Sequence, residues 1–169
     1  LNNQFINAYA AISDRRLSYK SELVAALTTG DVPALIAAIR RLFAGIPWRN
    51  FTGNDLAEAE GYYASVLYAF LASLDAQVIP EDISNHGQVD LTVRIAGYTY
   101  VMEIKLRRDA LPAGPADPAG ANPALAQIQA RGYSAKYRGA PGKGLFEVGL
   151  VFGRAERNLV QADWRAVGA

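Results

Sequence analysis

The chain has 169 residues, is 51% hydrophobic, carries a formal net charge of +1, and contains one histidine and no cysteine. The missing cysteines exclude disulfides, thiol nucleophiles and cysteine-ligated zinc, the lone histidine excludes a His-rich metal centre, and the hydrophobic share excludes a disordered tail. No run of about 18 apolar residues escapes charge or Gly/Pro interruption, and the first turns show no basic-then-apolar leader, so no membrane association is expected and a cytoplasmic location is. The length suits one domain with a helical annex, and because the first residue is Leu1 an upstream portion is expected.

Residues 1–48 read as that annex or as a linker, with 49–169 as the main domain. Phe5, Ile6, Tyr9 and Ile12 suggest a first short helix and Ser21 to Leu27 a second. Asp31 caps a third, with Pro33 in its first turn and Leu35, Ile39, Leu42 and Phe43 as its apolar stripe. A longer helix capped by Asn54 or Asp55 runs to about Leu74. Its stripe of Tyr63, Leu67, Leu71 and Leu74 begins at Glu60, which turns that carboxylate inward. Two readings stand for Glu60: a charge favoured at a helix start, or a carboxylate directed at a site.

A short strand is expected from Ala76 to Glu81, then a polar loop from Asp82 to Gly87, with His86 read as a turn histidine. Gly87 to Ile95 and Tyr98 to Lys105 alternate in character around Ala96-Gly97, the pattern of a hairpin. One face would carry Val89, Leu91, Val93 and Ile95 with Tyr98, Tyr100, Met102 and Ile104; the other carries Asp90, Thr92 and Arg94 with Thr99, Val101, Glu103 and Lys105. Pairing Ile95 with Tyr98 sets Asp90 directly opposite Glu103. Opposed carboxylates repel across a strand pair unless a cation lies between them or solvent screens them, so a divalent-cation site and a solvated charged face both remain open.

The segment from Arg107 to Pro123 is rich in Pro, Ala and Gly and reads as an exposed loop. Pro123 to Tyr137 reads as a helix despite Gly132, with Gln127 and Arg131 on one face and Tyr133 and Tyr137 available for the core or for stacking. An apolar strand follows from Leu145 to Phe152, and Arg157 to Trp164 adds an edge strand. The result is an α/β fold, a mixed β-sheet flanked by helices. The charge is skewed: Lys105, Arg107, Arg108, Arg131, Lys136, Arg138 and Lys143 dominate one segment, and acids dominate the segment before it. That suits carboxylates for an ion beside cations for phosphates, as well as an ordinary solvated surface.

Asp90 followed by Glu103-Ile104-Lys105 resembles the signature of the PD-(D/E)XK nuclease superfamily. The wider series Asn85 to Leu91, Val101 to Leu106, Ala124 to Tyr133 and Lys136-Tyr137, with Gly30-Asp31, Ala44 to Trp48 and Glu60 to Tyr63 upstream, is similar to the nuclease-like domain found C-terminal to an AAA-ATPase-like domain in bacterial proteins. That family often has Arg where Gln88 stands and Tyr-His where Tyr63-Ala64 stand. The resemblance implies a restriction-endonuclease-like core and a metal-dependent nuclease. Asp90, Glu103 and the carbonyl of Ile104 would hold Mg²⁺ or Mn²⁺, with Lys105, Glu60 and Gln127 in catalytic or positioning roles. Nucleic acid, DNA ahead of RNA, is the implied substrate, with Arg107, Arg108, Arg131 and Lys136 as its contacts and an upstream ATPase-like domain as the implied neighbour. The alternative is a catalytically silent nucleic-acid-binding or interaction module on the same fold. Oligomeric state is not implied by any of these features.

Overall fold

The computed structural model describes residues 19–46, 60–85, 87–108 and 120–168. The expected helix near Phe5 to Ile12, the Asn54/Asp55 cap, His86 and most of the Arg107 to Pro123 loop lie outside these residues. Helix α1 covers 19–29, α2 Val32–Ala44, α3 Glu60–Ala72 and α4 Pro123–Arg131; the strands are β1 Gln77–Ser84, β2 Gly87–Ile95, β3 Tyr98–Arg107, β4 Gly144–Gly153 and β5 Asn158–Val167. They form one mixed sheet in the order β1-β2-β3-β4-β5, parallel between β3 and β4 and antiparallel elsewhere. A parallel pair needs a crossover, and the connection through α4 supplies it.

The local chemistry sets these elements as the sequence predicts. Asp31 caps α2, its carboxylate accepting from Ala34 N–H at 3.0 Å. Ala96 and Gly97 have φ values of 51° and 86°, the two left-handed positions that match a two-residue hairpin to the twist of its strands. The hairpin pairs Ile95 with Tyr98 and continues in that register to Leu91 and Met102.

Helices α1, α2 and α3 cover one face of the sheet. Leu23, Leu27, Leu35, Ile39, Leu42 and Phe43 enter the same buried cluster as Tyr63, Leu67, Met102, Leu150 and Phe152. Phe152 is its aromatic hub, 4.6 Å from the Tyr63 ring and 4.7 Å from Phe43, contacts worth about 0.5–1.5 kcal/mol each beyond area burial. Tyr100 hydroxyl donates to the Leu27 carbonyl at 2.6 Å, tying the end of α1 to the central strand. The opposite face is covered by α4, where Val89, Val101, Ile128 and Tyr133 form a smaller cluster.

Three sequence expectations are corrected. Asp82 is not in a loop: β1 runs through Ser84, and Asp82 is buried. Helix α4 stops at Arg131 because Gly132 takes the left-handed C-cap conformation, φ 62°, and a single 3₁₀ turn, Ala135–Tyr137, follows. Val89 was expected beside Leu91 but packs with Val101 on the α4 face. The cause lies in the β1–β2 ladder, which pairs Pro80 with Leu91 and Asp82 with Val89 but skips Glu81 and Asp90; Glu81 has φ 48°. Such an irregularity resets the period-2 alternation, so side chains on either side of it exchange faces.

Candidate active site

Strand β3 directs Tyr100, Met102 and Ile104 into the larger core and Val101 and Glu103 toward α4, while Lys105 near its end reaches Glu103 and Glu60. Asp90 stands one step beyond the last paired position of β2, opposite Glu103, where its Oδ2 accepts from the Ile104 N–H at 2.8 Å. Lys105 Nζ lies 3.0 Å from Glu103 Oε1 and 3.7 Å from Glu60 Oε1, while Glu60 Oε2 accepts from Leu106 N–H at 2.9 Å. Gln127 Nε2 reaches down from α4 and donates to Glu103 Oε1. The structure therefore brings Glu60, Asp90, Glu103, Ile104, Lys105 and Gln127 to one point at the end of the central strand.

Glu103 is only 2% exposed, yet its Oε2 has no hydrogen-bond partner among the described residues. Burying half a carboxylate without a partner is costly, and a cation is the direct remedy. Burial raises the pKa of Asp90, with Glu60 and Glu81 adding repulsion; burial followed by the charge of Asp90 raises that of Glu103. Burial opposes the charge on Lys105, but its hydrogen bond to Glu103 and the surrounding carboxylates prevail and raise its pKa, so it stays protonated at neutral pH. Among the described residues no group of three His, Cys, Asp or Glu side chains forms a ready metal cage. A small hard ion such as Mg²⁺ uses one or two carboxylates and keeps its waters, so an Asp–Glu pair with a backbone carbonyl fits that donor set.

The position of Gln127 depends on Asn122 and Gly149, which no catalytic motif in the sequence marks out. Asn122 caps α4 by accepting from Ala124 and Leu125 N–H at 3.0 Å each, and its amide donates to Gly149 carbonyl and Asp163 Oδ2, both at 3.0 Å. A Cβ at Gly149 would stand 2.4 Å from Leu125 N, so only glycine lets the helix sit this close to β4. The Asn-Pro pair ahead of an apolar-periodic run was the available signal for the cap. Asp82 was missed because its partners are distant in sequence: Thr92 hydroxyl donates to it at 2.8 Å, Tyr137 hydroxyl at 2.5 Å, and Lys136 forms an ion pair with it.

The expected phosphate contacts are dispersed. Arg107 Nη2 is 3.8 Å from Glu156 Oε1, Arg108 and Arg131 are exposed, and Lys136 is engaged by Asp82 and by the Ile83 carbonyl at 2.8 Å. None of these four shares the Asp90–Glu103 cluster directly.

A family model described as the PD-(D/E)XK nuclease superfamily matches residues 58–162, which span β1 to β4, the first half of β5 and the whole cluster. The chain is also 34% identical over 160 residues to a protein of Azotobacter chroococcum mcd 1 designated "Uncharacterized protein in vnfD 5'region". That alignment takes in 95% of this chain but 29% of the relative's length.

Proposed function

The chain belongs to the PD-(D/E)XK nuclease superfamily, and from that premise we propose that it hydrolyses nucleic-acid phosphodiester bonds with a divalent cation, Mg²⁺ or Mn²⁺, held by Asp90, Glu103 and the carbonyl of Ile104. The observation that carries this reading is the buried Oε2 of Glu103, without a hydrogen-bond partner among the described residues, on a carboxylate close enough to Asp90 to feel its charge. The cation, when bound, offsets negative charge on the phosphate and lowers the pKa of water.

The chain's own groups do the rest. Lys105 donates a hydrogen bond to the attacking water or the phosphate and offsets charge that grows in the transition state. Gln127 fixes Glu103 Oε1 so that Oε2 points into the site. Glu60 bridges Lys105 and the Leu106 amide, locking the end of β3. Arg108 and Arg131, both exposed, meet substrate phosphates, and Arg107 and Lys136 steady the surrounding surface. The substrate is DNA ahead of RNA. Residues 49–169 carry the nuclease site, α1 and α2 from the 1–48 annex complete its core, and an upstream ATPase-like domain precedes them in a longer cytoplasmic protein.

A cleavage panel on single-stranded DNA, duplex DNA and RNA tests the reading, with Glu103→Ala and Lys105→Ala as controls and Mn²⁺ titration of wild type and Asp90→Ala alongside. Loss of about 10²–10³ in rate is expected in each cleavage control. Turnover persisting in both, or wild type that takes up no Mn²⁺, rejects it.

A further inference from the structure

At the opposite end of β3 from the carboxylates, a groove of about 290 Å³ runs beside the hairpin turn, and a second of about 270 Å³ adjoins it through Arg94, Gly97, Thr99 and Pro141. Three cations line the first, Arg94, Arg138 and Lys143, and among the described residues no acid does. None of the three takes part in an ion pair among the described residues. Arg94 instead lies 5.9 Å from the Tyr137 ring and Lys143 Nζ 5.9 Å from the Tyr98 ring. Cations resting on aromatic faces keep their hydrogen-bond donors available, unlike Lys136, which is committed to Asp82.

The groove is built on a fixed floor. Lys143 N–H donates to the Gly97 carbonyl at 2.7 Å, and a Cβ at Gly142 would stand 2.7 Å from that same oxygen, so a small-residue loop is laced tightly onto the hairpin turn. Gly139 adds a left-handed position, φ 74°. Low side chains flanked by long cations let an extended polyanion approach the backbone closely. At about 290 Å³ the groove is at the lower bound of pockets that enclose a small molecule, which favours a strand passing through over a trapped ligand. Arg94 and Thr99 lie on the same sheet face as Glu103, and the intervening four to six residues of β3 span about 13–20 Å. One strand of duplex presents a phosphate about every 3.4 Å of axis, so that distance is about four to six base pairs.

We propose that Arg94, Arg138 and Lys143 form a second, sequence-independent binding site for the nucleic-acid backbone, holding the duplex several base pairs from the Asp90–Glu103 cluster. This rests on the nuclease reading for its choice of ligand but not on turnover. The test is fluorescence anisotropy with a hairpin stem of about 4 base pairs, too short to reach both sites, and a 20-base-pair duplex, in chelator so that nothing is cut, across a salt series. The proteins are wild type, the Arg94→Ala/Arg138→Ala/Lys143→Ala triple variant, and Arg40→Ala on the far helical face as control. Wild type and Arg40→Ala bind the longer duplex more tightly. The triple variant loses that gain, about 10- to 100-fold at 0.1 M salt, and its salt slope falls by about 2 to 3 at about 0.9 per phosphate contact. Should the triple variant melt early, the three single variants are read instead, each lowering the slope by about one. Unchanged affinity and slope in folded variants overturns the site, as does competition by inorganic phosphate or a mononucleotide with no dependence on duplex length. Length-dependent binding lost in the variants of a protein that cuts nothing upholds the site and rejects the nuclease reading instead.

Discussion

Replacing Asp90 by Asn should make the metal-free protein more stable while abolishing its response to divalent cations. Opposed residues on paired strands bring side chains to about 5 Å, where two unit charges repel by about 3 kcal/mol at an effective dielectric of 20. Two effects reduce the gain from removing one of them: Lys105, 3.0 Å from Glu103, already offsets part of the repulsion, and the Ile104 N–H bond to Asp90 Oδ2 loses its charge assistance. A net gain of about 1 kcal/mol is expected, or about 2–4 °C in melting temperature for a chain of this size. Both carboxyls titrate above their ordinary values of 3.8 and 4.5, so the folded state binds protons more tightly than the unfolded one. Wild-type stability from this pair is therefore greatest below the unfolded values and falls as pH rises through the folded ones, leaving the full penalty at neutral pH. Melting curves in chelator at pH 7.5 and near pH 3 should show Asp90→Asn ahead at the first and level with wild type at the second. Saturating Mn²⁺, about 100-fold above its Kd, should then raise wild type by about 2.7 kcal/mol and leave the variant unmoved. A variant that melts below wild type at pH 7.5 would mean that the chain itself neutralises these acids, and the case for a cation between them would collapse.

Other perturbations separate positioning from structure. Gln127→Ala should lower the single-turnover cleavage rate about tenfold with little change in melting temperature, since it frees Glu103 without opening the core; an unchanged rate would remove Gln127 from the site. Gly149→Ala should cost about 1–3 kcal/mol in urea unfolding and also reduce cleavage, because α4 must shift off β4 and carry Gln127 with it. Burial works against ionised Asp82, but bonds from Lys136, Tyr137 and Thr92 outweigh it and hold its pKa below the usual range. Its contribution is thus present above the unfolded value of 3.8 and lost as pH falls through the lower folded one. Asp82→Asn should cost about 1–3 kcal/mol at pH 7 by chemical denaturation and progressively less as pH falls below 3.8; a deficit that does not change with pH would show that packing, not charge, is what Asp82 supplies.

The hairpin was legible because its determinants are local. Ala96-Gly97 sets the turn, the turn sets the register as far as Leu91 and Met102, and one further step in that register points Asp90 toward Glu103. Helical spacing directs Glu60 toward Lys105 for the same reason, although the side chain stays exposed at the helix start instead of being buried with the stripe. What escaped depends on contacts across the fold. Asp82 reads as a loop residue until Lys136 and Tyr137, more than fifty positions away, enclose it. Gly149 reads as one weak position in an apolar strand until Asn122 caps a helix against it. Gly132 was legible as a helix stop on its own chemistry, but the tyrosines beyond it continue the apolar spacing and disguise the break.

The displacement of Val89 shows why the carboxylates can meet where they do. A regular ladder would pair Glu81 with Asp90 and bury a continuous row of side chains through that point. The left-handed backbone at Glu81 interrupts the pairing there, and Val89 and Asp82 turn to the α4 face. Asp90 is thereby released from the β1 ladder while β3 still holds it through Ile104 N–H. A non-glycine residue in that conformation costs about 1–2 kcal/mol, which the Asp82 network on the next residue offsets by anchoring β1 to the segment after α4. The defect in the sheet and the buried polar cluster beside it therefore act together: one frees the acid, the other keeps the freed strand in place.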